Sequence, residues 1–269
     1  MLNMLKTDLR RIFKDKLFLV ICIICGVFAL LTPLLLYAVG SIAGDAAQML
    51  GMGMDAKTLF FQAFNPVNDF GLVASVLFCI ILCKDYSQGT VRNKIISGKS
   101  RSAVFLSALI ACTIVLCGIM LVYAFLTLGV SLLLFEYQAT PFTANDFGYA
   151  VVTLIFKLLT FVVVSALITF LSVSMKNAGL CIVTYIAITM FFSIIGASFS
   201  MVIPMVTDNE PLKLFLEFMV KSNVFLSTVT GNGTTYSAVD VAYVLISHAL
   251  YFALFFVLGL VAIKKKDIK

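Results

Sequence analysis

The sequence predicts an all-α membrane protein with six transmembrane helices, and three observations support this fold class. Hydrophobic residues make up 62% of the 269 residues and charged residues only 12%, whereas about a quarter of a soluble protein is charged. The apolar residues gather in six long runs that suit a hydrocarbon core of ~30 Å. The Lys and Arg residues lie almost entirely in alternate connecting segments, which is the pattern of a multi-pass protein.

The chain begins with a basic amphipathic segment. Residues 1–16 place Leu2, Leu5, Leu9 and Ile12 at helical spacing, with Lys and Arg mostly on the other side. This pattern predicts a helix that lies in the membrane interface and leads into the first span. That span has 23 uncharged residues, more than the roughly 7–15 apolar residues of a signal peptide, so we expect it to be retained.

The six spans follow one another through polar connections of unequal length. We place them at residues 17–39, 65–83, 102–135, 147–171, 178–206 and 241–263. As one helix the third span would be about 50 Å long, so it must tilt, bend near Gly118 or emerge from the bilayer. Before the second span, Leu59, Phe60, Phe61 and Phe64 are apolar enough to lie on the bilayer surface. Between the last two spans, residues 207–239 form an extracellular segment with a short helix from Pro211.

The distribution of charge orients the spans. One set of connecting segments holds 15 Lys and Arg with 4 acidic residues, and the other holds 3 Lys and Arg with 9 acidic residues. Positively charged loops remain in the cytoplasm, so both termini are predicted to be cytoplasmic, with residues 1–269 forming a single transmembrane domain. The net charge of +6 lies mainly on this side, and we do not interpret it as a nucleic-acid-binding surface.

Residues 84–101, the basic loop, join the second and third spans and carry five Lys or Arg residues. Ser87 is suited to cap a short helix through its hydroxyl, and Gly98 to end that helix in a left-handed conformation. Three apolar side chains fall on one side of the helix: Val91, Ile95 and Ile96. A connection that only joined two spans would not need such a stripe, so we expect another chain to cover it.

The layout and the loop resemble the ABC-2 type permeases, the membrane subunits of a class of ATP-binding-cassette exporters. The motif is Asp85-Tyr-Ser-Gln-Gly89-Thr90-Val-Arg92, followed by Ser100-Arg101 at the start of the next span. Gly-Thr and Ser-Arg fit the family pattern. The acidic residue often found before Gly-Thr is Gln88 here, and a Lys common one turn into the next span is Ala108.

The resemblance implies that the protein is the permease subunit of an exporter in a bacterial plasma membrane. The basic loop would seat a coupling helix in a groove of a separate ATPase subunit, which binds ATP and Mg²⁺, and a second permease subunit would complete the translocation path. The implied coupling residues are Asp85, Gly89, Thr90, Val91, Arg92, Ile95, Ile96 and Arg101. The chain itself is not expected to be an enzyme or to bind a cofactor, because Gly98-Lys99-Ser100 lacks the earlier Gly of a P-loop.

Two polar residues inside the spans are candidates for the translocation path. A Lys at the centre of a spanning helix costs roughly 2.5–3.5 kcal/mol, so Lys157 is predicted to face the bundle interior, near Thr153 and Thr160. It is either satisfied by hydroxyls, carbonyls and water or in contact with an anionic group of the cargo. His248, beside Ser247, is either a hydrogen-bonded structural residue or part of a gate. One His does not make a metal site.

Two other classes of function remain as alternatives. A secondary transporter is disfavoured because the predicted spans lack the carboxylates that ion coupling commonly uses. An intramembrane protease would need a Ser–His pair, for which Ser198 in Gly196-Ala-Ser198 and His248 are the candidates. Co-purification of an ATPase and ATP-dependent transport would distinguish the exporter from both alternatives.

Overall fold

The computed structural model describes residues 2–43, 55–67, 69–137, 143–175, 177–206, 209–225 and 237–265. These residues form ten α-helices and a 3₁₀ turn, with no strand among them. The helices are α1 Leu2–Lys14, α2 Lys16–Ala43, α3 Ala56–Gln62, α4 Asp69–Ser87, α5 Thr90–Ile96, α6 Arg101–Leu134, α7 Ala144–Ser174, α8 Ala178–Val202, α9 Glu210–Lys221 and α10 Ala238–Lys265. Six of them (α2, α4, α6, α7, α8 and α10) are long and apolar enough to cross a membrane. The predicted all-α fold with six spans is confirmed.

The ends of several spans differ from the prediction for identifiable reasons. Helix α4 starts and stops four residues later than expected. Its end extends past Lys84 and Asp85 because these residues form ion pairs with Asp15 and Arg11 of the N-terminal segment. Helix α7 begins at Ala144, where Thr143 and Asp146 form a reciprocal capping box. Helix α8 gives way after Val202 to the 3₁₀ turn Ile203–Met205, which contains a proline.

Three spans form the centre of the bundle and three lie at its periphery. More than half of the residues in the most apolar part of α4, α6 and α7 are buried, against fewer than a third in α2, α8 and α10. Close approach is visible where α10 meets α6, since a Cβ on Gly259 would lie 2.4 Å from the ring of Phe105. The outer faces of the peripheral helices carry exposed Leu, Ile and Val side chains, as lipid contact requires.

Helix α3 is packed into the protein, which contradicts our expectation that this segment lies on the bilayer surface. Leu59, Phe61 and Phe64 are at most 3% exposed. The Ala56 amide donates a hydrogen bond to the Glu136 carbonyl at 3.0 Å. These apolar side chains reach the core because α3 lies against the end of α6.

Helix α6 is one uninterrupted helix of 34 residues, about 50 Å long. It begins directly at the end of the basic loop, where Ser100 caps it by accepting from the Ala103 amide. The basic loop, α1 and the end of α10 lie at the same end of the bundle, since α1 contacts α6 and Arg101 reaches Lys264. The cytoplasmic location of this end remains a prediction from the charge pattern.

Candidate functional site: the basic loop and helix α1

The basic loop contains the expected short helix, but it begins differently from the prediction. Helix α5 starts after Gly89, whose φ of 71° is left-handed and suits glycine. Ser87 is not its cap, because α4 continues through this residue and the Ser87 hydroxyl donates to the Lys84 carbonyl at 3.1 Å. Gly98 has a φ of 84° just beyond the helix, which confirms the predicted left-handed end.

The apolar stripe of α5 is covered largely by the chain itself, contrary to our expectation that another chain covers all of it. Val91 is 5% exposed and forms a small cluster with Met4 of α1 and Val104 of α6. Ile95 packs partly buried against the same cluster. Only Ile96 is exposed, at 72%. The surface that α5 offers to a partner is therefore narrower than the sequence suggested.

A buried carboxylate on α1 connects three elements around α5. Asp8 is 2% exposed, forms an ion pair with Lys94 of α5, and accepts a hydrogen bond from the Ser107 hydroxyl at 2.6 Å. Arg11 lies 3.9 Å from Asp8 and forms a closer ion pair with Asp85 at the end of α4. Helix α1 is thus attached to α4, α5 and α6 by charged hydrogen bonds, which are stronger than neutral ones.

A further ion pair fixes the junction of α1 and α2. Lys84 lies 2.9 Å from the Asp15 carboxylate, which also accepts from the Leu17 amide. Burial raises the pKa of Asp15, but the bonds from Lys84 and Leu17 and the charges of Lys84 and Arg11 outweigh it and keep the pKa below its usual value. The carboxylate is therefore charged at neutral pH.

The eight residues assigned to the loop by resemblance divide into three groups by exposure. Asp85 and Val91 are buried against the protein's own helices. Gly89, Thr90, Ile95 and Arg101 are half-buried, and Arg101 donates to the Lys264 carbonyl at 2.8 Å, a common arrangement at a helix C-terminus. Arg92 and Ile96 are exposed, so these two, with the exposed Asn93, are available to a partner.

Sequence reasoning missed the residues that hold the loop. Asp8 and Asp15 are acidic residues within a strongly basic segment, and the predicted apolar side of α1 did not include Met4. The buried residues of α1 are Met4, Asp8 and Ile12, spaced by four along one face. An acidic residue at the centre of such a stripe, close in sequence to many cations, could have indicated that this face of α1 forms buried ion pairs.

Lys157 faces the interior of the bundle, which confirms that prediction. It lies two residues from the midpoint of α7 and is 4% exposed. One turn before it on α7, the Thr153 hydroxyl donates a hydrogen bond to the Tyr149 carbonyl at 2.7 Å. A cation at this depth is retained only where the bundle interior satisfies it.

His248 joins α10 to α7. Its Nδ1 lies 2.7 Å from the Val244 carbonyl oxygen, so Nδ1 carries the proton and donates, because a carbonyl only accepts. Its Nε2 lies 3.0 Å from the Thr160 hydroxyl, one turn beyond Lys157 on α7. A cavity of about 290 Å³ between α9 and α10 is lined by Ser247 but by neither Lys157 nor His248.

The structure does not bring together the proposed Ser–His pair. Ser198 is exposed and donates to the Ile194 carbonyl at 2.8 Å, while both ring nitrogens of His248 face other residues. Within the part of the chain that the structure describes, no group of three or more His, Cys, Asp or Glu residues is placed to hold a metal ion.

The fold and the site define a multi-pass α-helical membrane protein with a structured loop at one end of its bundle. Residues 18–269 match the model of a family described as a protein of unknown function, DUF2705, and the chain belongs to this family. The match covers the six spans and the basic loop but not α1. No match was found among curated proteins.

Proposed function

We propose that this protein is the permease subunit of an ATP-driven exporter of the ABC-2 type, located in a bacterial plasma membrane. The observation that carries the proposal is the basic loop, whose short helix α5 is fixed to the bundle on one side and exposes Arg92, Asn93 and Ile96 on the other. Its Gly89-Thr90 and Ser100-Arg101 pairs are those of the family it resembles. In this proposal a separate ATPase subunit docks there and binds ATP and Mg²⁺.

The attachment of α5 gives such a contact a mechanical consequence. Val91 is buried against Met4 and Val104, and Lys94 is paired with Asp8. A force applied at Ile96 would therefore reach α6, which is separated from α5 by four residues, and α1 as well. Coupling between distant sites needs a packed connection of this kind.

The positions of the carboxylates in the bundle favour an ATP-driven exporter over an ion-coupled carrier. The carboxylates within the described spans lie in their first or last turns: Asp69, Asp85, Asp146 and Asp240. Ion-coupled carriers commonly place such groups near the midplane. Lys157 and His248 are the buried polar residues that we assign to the path, with Lys157 contacting an anionic group on the cargo and a second permease subunit completing the path.

The test is purification of the tagged full-length chain from its native membranes. We expect an ABC-type ATPase subunit in constant stoichiometry and ATP hydrolysis by the complex. Ile96→Asp should abolish the association, because burying an Ile contributes about 1.5–3 kcal/mol and an Asp there would also lose its water. The combined loss exceeds a hundredfold in affinity at ~1.4 kcal/mol per decade.

Two variants control this experiment. Arg92→Gln should weaken the association less, because charges at a rim mainly alter association rate and salt dependence. Val91→Asp should disturb the chain itself, since Val91 packs on Met4, and the hydrogen exchange of α1 would reveal this. A purified protein that contains no ATPase and does not respond to ATP would refute the proposal. If Ile96→Asp still associated with the ATPase and Arg92→Gln did not, the contact would be mainly electrostatic.

A further inference from the structure

An apolar groove of about 450 Å³ runs along the outside of the bundle between α2 and α6. On α6 its lining extends from Ile114 to Leu126, about 18 Å along the helix. At one end it reaches Phe13 of α1 and Phe18 of α2, whose rings meet edge to face at 4.9 Å. No charged residue lines the groove.

Two glycines line this groove, and the absence of their side chains keeps it open. A Cβ added to Gly26 or to Gly118 would meet no atom within 4 Å. This differs from Gly259, where a Cβ would collide with Phe105. Glycine is a poor helix former, so helix stability does not account for these two glycines. Close packing does not account for them either, because no atom of the described residues lies within 4 Å of either Cβ position. The space therefore suits an occupant from outside the chain.

The dimensions and lining of the groove select the occupant. The groove is elongated, with a volume of about 450 Å³ spread over about 18 Å of α6, a shape that suits a hydrocarbon chain. The walls are apolar, and lining residues such as Ile114 and Val122 are exposed. The groove thus faces lipid.

Charge at the end of the groove indicates the headgroup. Lys14 and Lys16 lie in sequence between the two aromatic residues that close the groove, and both are exposed. Arg10, one turn before Lys14 on α1, is exposed as well. Lysines at a membrane surface attract anionic lipids. An acyl chain in the groove would bring its phosphate to this cluster.

We propose that the groove between α2 and α6 binds an acyl chain of an anionic phospholipid, whose headgroup phosphate is held by Lys14 and Lys16. This site does not depend on the proposed transport function. It lies on α1 and the first span, and α1 in turn holds the basic loop through Asp8. A bound lipid would therefore stabilise the position of α1.

The first experiment fills the groove. Binding of phosphatidylglycerol and phosphatidylcholine with identical acyl chains is measured on the purified full-length chain by native mass spectrometry. Gly118→Leu should lower the affinity for both lipids at least tenfold. Gly129→Leu is the matched control, because Gly129 is also exposed on α6 with no atom within 4 Å of a Cβ but lies outside the groove. Its binding should stay within about twofold of the parent.

The second experiment removes the charges. Lys14→Gln/Lys16→Gln should lose about fivefold in phosphatidylglycerol affinity per lysine, equivalent to about 1 kcal/mol each, and retain its affinity for phosphatidylcholine. The double variant Lys6→Gln/Lys99→Gln removes the same charge from exposed positions away from the groove. It should keep the preference for the anionic lipid.

Three results would overturn the proposal. The first is an equal effect of the Gly118 and Gly129 variants. The second is unchanged lipid binding with a change in oligomeric state of Gly118→Leu, which would assign the groove to a second copy. Should that variant not fold, the parent protein is photocrosslinked with a phosphatidylglycerol that carries a diazirine in its acyl chain. We expect adducts in residues 18–26 and 114–126. Adducts spread evenly over α8 and α10 would be the third result that overturns the proposal.

Discussion

Replacement of Asp8 by Asn tests whether one buried carboxylate holds the basic loop to α1. The Asp8 side chain is 3% exposed and faces the Lys94 ammonium, whose side chain is 16% exposed. Asn keeps the shape and an acceptor for the Ser107 hydroxyl, but it leaves the Lys94 charge unopposed. Breaking a buried ion pair costs about 3–5 kcal/mol. Because Lys94 retains some contact with water, we expect a loss of about 2–3 kcal/mol in the free energy that keeps α1 and α5 together.

Hydrogen exchange of the full-length chain in nanodiscs measures this loss locally. A change of about 2–3 kcal/mol corresponds to about 30- to 150-fold faster opening, which should appear in residues 2–14 and 90–96 but not in α7. Asp15→Asn is the matched control, because its partner Lys84 is 38% exposed. Exposed pairs contribute about 0.2–1 kcal/mol, so this variant should accelerate exchange less than about sixfold.

A second substitution tests the physical reason. Lys94→Met in the Asp8→Asn background removes the unopposed cation, and exchange should slow again toward that of the parent. Equal acceleration by Asp8→Asn and Asp15→Asn would refute the claim that burial makes the Asp8 pair dominant. So would the absence of any recovery in the double variant.

Three further predictions concern the bundle. Gly71→Ala should lower the midpoint of thermal unfolding in detergent, because a Cβ at Gly71 would lie 2.0 Å from the Asn65 carbonyl oxygen, and overpacking costs about 1–3 kcal/mol; an unchanged midpoint would contradict this close approach. If Lys157 meets anionic cargo, Lys157→Met should express normally and impair transport while Lys157→Arg partly retains it; normal transport by the Met variant would leave a structural role. In a cysteine-free background, an impermeant maleimide should label a cysteine at Ser237 but not at Ser97 in sealed cells, and labelling at Ser97 would invert the predicted orientation.

The six spans were predictable because lipid imposes a simple requirement on sequence: each must be long and apolar. Their ends were harder to place. The sequence suggested that α4 stops before Lys84, since charges favour water. In the structure Arg11 and Asp15 of the N-terminal segment pair with Asp85 and Lys84, so the helix continues. A pairing across about 70 residues leaves no local signal.

The site was predicted in position and only partly in detail. The helical character of residues 90–96 and the role of Gly98 followed from local spacing and backbone preference. The covering of Val91 depends on the docking of α1, which periodicity alone does not specify. Helix α3 shows the same limit, because a short apolar segment suits either a bilayer surface or a protein core.

Helix α6 connects the basic loop to the opposite end of the bundle as one long helix. It starts at Arg101, immediately after the loop, and runs uninterrupted to Leu134 beside α3. Over about 50 Å, a pivot of about 5° at the loop end would move the other end by about 4 Å. A displacement of that size is comparable with the radius of an ion or a small headgroup. In the proposed permease, a small rotation at the loop end would therefore suffice to open or close the path at the other end.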